Sequence, residues 1–206
     1  IDEDTMVSDV APEPDTAPSV DQDAPAWGDG ATLQASNLGE DHLTLTWTAA
    51  SDASGLAAYL VYQDDVLVTK LASMYLSLQI SQLSAGTSYT YRVEAEDTMG
   101  NISDSGPTLT VAVLDETMPT WGPDSSLTAS NLTATSVELG WQGASDNVAV
   151  TSYRVYRDNI AIGNTEGGIT NLTVDSLQSW KSYSFRVEAE DAHGNASTNG
   201  PTLIVQ

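Results

Sequence analysis

Two histidines, no cysteine and 29 acidic residues set what chemistry this chain of 206 residues can offer. His42 and His193 lie at non-equivalent places in the sequence, and no Ser–His–Asp arrangement follows from them. There is no Gly-rich phosphate loop and no zinc-binding pattern. The lack of cysteine removes disulfides, thiolate metal sites and cysteine nucleophiles together. Both histidines therefore read as solvated loop residues. What remains is oxygen. Aspartates recur in turn-rich segments, and flexible acidic loops with asparagines and carbonyls suit calcium, which takes six to eight oxygen ligands. Asp and Asn also favour turns on their own account, because they tolerate left-handed backbone and bond nearby amides.

The balance of charge points the same way. Six Lys and Arg stand against those 29 acids, for a formal charge of −23. Such a field repels nucleic acid and anionic membranes and attracts cations. No apolar run approaches the roughly 20 residues that span a bilayer, so no membrane insertion is expected. No signal peptide is visible, and the start at Ile1 rather than Met reads as a processed product.

The elements that must position these aspartates emerge when the chain is aligned with itself. Trp27, Trp47, Asp52, Tyr59, Arg92, Asp97 and Asn101 recur 94 residues later as Trp121, Trp141, Asp146, Tyr153, Arg186, Asp191 and Asn195. That period is too long for a solenoid and right for a small domain. The expected organisation is an acidic extension over residues 1–21, one domain over 22–114 and a second over 115–206. The joint "VLDETMPTW" leaves almost no free linker, so close end-to-end coupling is expected.

Each copy reads as all-β. "HLTLTW" and "SVELGW" alternate apolar and polar residues, and "YTYRVEAE" sets Tyr89, Tyr91, Val93 and Ala95 inward, with Arg92, Glu94 and Glu96 outward on a solvated face. Turn-rich clusters such as "YQDD" and "EDTMGN" separate the strands. Seven short strands in about 90 residues imply a sandwich.

These residues resemble the fibronectin type III domains of secreted bacterial proteins. The resemblance rests on an early Pro-x-Trp, the strand tryptophans of "LTLTW" and "VELGW", the "YLVYQD" and "YRVYRD" strands, and "LSAGTSYTYRVEAED", in which Leu83 and Tyr89 match the family's tyrosine corner. In the second copy Trp180 replaces the small turn residue. The resemblance implies two tandem seven-stranded immunoglobulin-like sandwiches after an irregular N-terminal extension. It also implies that the start of the first strand and two loops meet at one pole of each domain. That pole would gather Asp21, Asp52 and Asp97 in the first copy. In the second it would gather Asp115, Glu116, Asp146, Asn147, Asp191 and Asn195, the better calcium candidate.

On this reading the protein is non-catalytic, extracellular or on the cell surface, and acts as a structural or adhesion spacer toward a protein or cell-surface partner. One alternative is a filament subunit that self-assembles when the extension, through Met6, Val7 and Val10, pairs with the sheet edge of a neighbouring copy. Another is the accessory module of a secreted carbohydrate-active enzyme, which would need an exposed aromatic. Trp180 is the candidate, because aromatics are enriched in binding patches.

Overall fold

A computed structural model describes residues 21–206. The extension residues Met6, Val7 and Val10 lie outside the described part. Fourteen strands fall into two sets of seven, and every described element is a strand, bridge or turn.

In the first set the three-stranded sheet runs β1 (Leu33–Ser36), β2 (His42–Trp47), β5 (Ser77–Ser81). The four-stranded sheet runs in the order β4 (Val66–Ala72), β3 (Leu56–Gln63), β6 (Ser88–Asp97), β7 (Thr108–Ala112). The second set repeats this: β8 (Leu127–Ser130), β9 (Val137–Trp141) and β12 (Asn171–Val174) form one sheet, and β11 (Ile160–Glu166), β10 (Val150–Arg157), β13 (Tyr183–Asp191) and β14 (Thr202–Val205) form the other. The three-plus-four division is that of an immunoglobulin-like sandwich.

Local chemistry explains the joins. The β3–β4 hairpin turns on Asp64 and Asp65 with φ of 49° and 64°, and the β10–β11 hairpin turns on Asp158 and Asn159 with φ of 53° and 65°. Two successive left-handed residues define the turn that matches strand twist, and Asp and Asn tolerate it best.

The alternating patterns bury as expected. Val137, Leu139 and Trp141 of β9 pack with Tyr153 and Val155 of β10, and with Phe185, Val187 and Ala189 of β13. Leu43, Leu45, Trp47, Tyr59, Val61, Tyr91, Val93 and Ala95 are the buried equivalents in the first domain. Trp47 meets Tyr59 edge-on at 5.7 Å, and Trp141 meets Tyr153 likewise at 5.7 Å. Each buried tyrosine has a partner for its hydroxyl: Tyr59 Oη accepts the Ala50 amide and Tyr153 Oη the Ala144 amide, both at 3.0 Å. The tyrosine corner closes in both copies, with the Ser84 amide donating to Tyr89 Oη at 3.0 Å and the Gln178 amide to Tyr183 Oη at 2.9 Å.

Candidate functional site

One expectation about the acidic strand is corrected by the structure. Glu94 alternates away from the apolar core, yet it is only 1% exposed, and its counterpart Glu188 is buried too. The backbone of residues 102–107 returns beside β6, with the Ser103 amide bonding Ala95 O and the Pro107 carbonyl accepting from the Val93 amide. This return covers the face that the alternation assigns to solvent. Glu94 Oε2 then accepts from Ser103 Oγ at 2.6 Å and from the Gly106 amide at 3.0 Å, while Oε1 accepts from Arg92 at 2.8 Å. Ser103 Oγ in turn accepts from the Ala95 amide at 2.9 Å and from Trp27 Nε1 at 3.0 Å. The Arg92 guanidinium lies 4.1 Å from the centre of the Tyr62 ring. The second domain repeats every part: Glu188 with Ser197, Gly200 and Arg186, and Trp121 Nε1 on Ser197 Oγ at 2.9 Å.

The hub fixes its glycines. A Cβ on Gly106 would fall 1.8 Å from Val93 O and 2.7 Å from Glu94 Oε2, and a Cβ on Gly200 would fall 1.7 Å from Val187 O and 2.8 Å from Glu188 Oε2. Glu96 and Glu190 are less enclosed and form ion pairs, Glu96 with Lys70 and Glu190 Oε2 with Arg154 at 2.9 Å.

The aspartate loops lie at the end of β6 and of β13. Oxygens of Asp21, Asp52 and Asp97 come within 4.8 Å of one another. Asp97 is buried and caps its own loop: Oδ1 accepts the Met99 and Asn101 amides, each at 2.8 Å, and Oδ2 accepts Asn101 Nδ2 at 2.7 Å. Burial alone would raise its pKa. The Asn101 side chain and the amides of Asn101, Met99 and Gly100 outweigh that and hold it below the ordinary carboxylate value of 3.8. Asn101 Nδ2 also reaches Asp21 O at 3.2 Å, and Asp52 Oδ1 accepts the amide and hydroxyl of Ser54.

In the second domain the cluster differs. Asp115 and Asp191 come together as expected, but the third group within 4.8 Å is His193, not Asp146. Asp191 repeats the capping pattern through His193, Gly194 and Asn195. Burial pushes its pKa up, and the Asn195 side chain and these amides pull it, on balance, below the ordinary value. Asn147 Nδ2 donates to Asp115 Oδ1 at 3.1 Å, and Asn195 Nδ2 donates to Asp115 O at 2.9 Å. Asp146 Oδ1 caps the amides of Val148 and Ala149. Glu116 is exposed and outside the cluster. His193, read as a solvated loop residue, instead sets Nδ1 3.4 Å from Asp115 Oδ2.

Trp180 is fully exposed, with φ of 63°, at the rim of a groove of about 610 Å³ whose lining includes Leu132, Gln178, Ser179 and Gln206. The first-domain equivalent is Gly86, with φ of 70°.

The strand order, the tyrosine corners and the paired tryptophans define the class, an immunoglobulin-like sandwich repeated in tandem. Residues 122–205 match the family model of the fibronectin type III domain. The first copy repeats the same strand order and residues, so the chain is built of two sandwiches of fibronectin type III-like fold. It is 35% identical over 196 residues to Chitinase A1 of Niallia circulans, covering 93% of this chain and 27% of that protein. It is 31% identical over 177 residues to Exoglucanase B of Cellulomonas fimi, covering 84% of this chain and 16% of that protein. The chain thus spans under a third of either relative's length. A two-domain fibronectin type III segment from chicken tenascin aligns with a TM-score of 0.44 and 18% identity, over 85% of this chain and 98% of that one.

Proposed function

We propose that this chain is a non-catalytic accessory segment of a secreted carbohydrate-active enzyme, working outside the cell as a folded spacer that contacts the polysaccharide. The observation that carries the reading is the match to Chitinase A1 across 93% of this chain but only 27% of that protein. That proportion supports reading the shared segment as a module of a larger protein, and the similarity to Exoglucanase B has the same form. The exposed ring of Trp180 supports the contact with polysaccharide. Its apolar face is free to stack on a sugar ring, and amide and hydroxyl groups of Gln178 and Ser179 line the groove beside it.

The purified chain is expected to release no reducing sugar from chitin or cellulose, and to sediment with one of the two insoluble polymers. Trp180→Asn should weaken that co-sedimentation at least threefold. Hydrolysis of either polymer by the isolated chain would overturn the reading. So would an absence of binding to both, together with unchanged turnover of insoluble substrate after residues 22–206 are deleted from the parent enzyme.

A further inference from the structure

The second domain holds a buried carboxylate with one oxygen that no described residue bonds. The Asp115 side chain is 0% exposed. Its Oδ1 has donors, Asn147 Nδ2 at 3.1 Å and the Thr117 amide at 3.3 Å, but its Oδ2 accepts no hydrogen bond. The basic side chain beside that oxygen is His193, with Nδ1 at 3.4 Å. Next in sequence to Asn147, Asp146 Oδ2 is likewise enclosed and without a donor. Asp191 adds a second buried carboxylate, with oxygen within 4.8 Å of the Asp115 and His193 ligand atoms. Native proteins rarely leave a buried carboxylate oxygen unpaired, because its desolvation is uncompensated. An enclosed carboxylate oxygen without a donor, beside a second buried carboxylate, calls for positive charge.

We propose that these loops bind one hard divalent cation, with Asp115 Oδ2 as the central ligand, Asp191 as the second carboxylate, and the Asn147 and Asn195 side chains, which both bond Asp115, beside it. The donors are mostly oxygen, which selects calcium over softer ions. His193 is the most exposed of the three grouped side chains. The first-domain trio makes a useful contrast. Asp21 and Asp52 are only half-buried, and among the described residues none of the three aspartates leaves an enclosed oxygen without a donor. Water can serve those carboxylates as it cannot serve Asp115, so binding is assigned to the second domain alone. The proposal is independent of the reading as an accessory segment.

The test is calorimetric titration of the intact chain, stripped with chelator, with calcium chloride and separately with zinc chloride, alongside melting curves in calcium and in chelator. Calcium should bind with a stoichiometry of one and raise the melting temperature of one transition. Asp115→Asn should weaken binding at least tenfold. In chelator the same variant should melt no lower than the parent, because it removes an unpaired buried charge while keeping the shape. A residue with only a structural role would lower melting in both solutions. Asp97→Asn should leave calcium binding intact. Failure to bind calcium would overturn the proposal, as would calcium binding indifferent to Asp115→Asn. Zinc binding that is lost in His193→Ala, with no calcium binding, would overturn the assignment to a hard cation.

Discussion

Ser103→Ala isolates the buried carboxylate hub with the loss of a single oxygen. In the native domain that oxygen donates to Glu94 Oε2 at 2.6 Å and accepts from the Ala95 amide at 2.9 Å and from Trp27 Nε1 at 3.0 Å. Removing it takes one donor from a carboxylate, a bond worth about 1.5–3 kcal/mol. It also orphans the amide of the fully buried Ala95, at about 1–3 kcal/mol. Trp27 is half-buried and can turn its N–H to water, so it adds little. Glu94 keeps Arg92 and the Gly106 amide, which holds the total near the lower ends of these ranges. The expected loss is about 3 kcal/mol, and for a domain of this size each kcal/mol moves the midpoint by about 4–8 °C. Urea unfolding followed by tryptophan fluorescence, with calorimetry in parallel, measures it. Ser197→Ala should cost the second domain a similar amount, and Ser88→Ala, on an exposed position, should change stability by less than about 0.5 kcal/mol. A loss below about 1 kcal/mol in both Ser103→Ala and Ser197→Ala would refute the idea that the hub holds the strands together.

Three further outcomes follow from the same geometry. Gly106→Ala drives a methyl into Val93 O and should cost about 3 kcal/mol or prevent folding of the first domain, read by calorimetry as loss of one transition. Trp180→Asn places a residue that tolerates left-handed backbone where φ is 63°, so stability should hold or rise by up to about 1 kcal/mol, and a fall larger than that would mean the indole is packed. Asp97 has a folded pKa below its ordinary value, so its contribution is complete above about pH 4 and is lost as pH falls through the folded pKa. Urea midpoints taken from pH 5 down to pH 2.5 should therefore fall more steeply for the parent than for Asp97→Asn, and parallel curves would contradict the capping role.

The strands were legible because a period of two states directly which residues share a face. Leu43, Leu45 and Trp47 are all buried, as their alternation requires. The tyrosine corners were legible because the leucine and tyrosine that make each one stand close together in sequence. Glu94 was misread because alternation tells which side of a sheet a residue occupies, not whether that side is covered. The cover is the return of residues 102–107, a path that no local period encodes. His193 was missed for a related reason: its loop was placed at the acidic pole, but the 3.4 Å approach to Asp115 depends on side-chain direction.

A signal for the hub was nonetheless present in the comparison of the two copies. Exposed Lys70 becomes Asn164, and Leu60, buried in the first domain, becomes the half-exposed Arg154. The basic partner of Glu96 on β4 is accordingly replaced by one on β10 for Glu190, and the ion pair survives the change of strand. A solvent-facing pair can be rebuilt in this way because long side chains reach from several positions. The hub cannot, since its donors include the Gly106 and Gly200 amides, whose approach forbids a side chain, and serines that bond in three directions. So Arg92, Glu94, Ser103 and Gly106 reappear unchanged as Arg186, Glu188, Ser197 and Gly200. The stretch RVEAED, at 92–97 and again at 186–191, thus carries in each copy a glutamate on the outer face of its strand that is buried by the same set of partners.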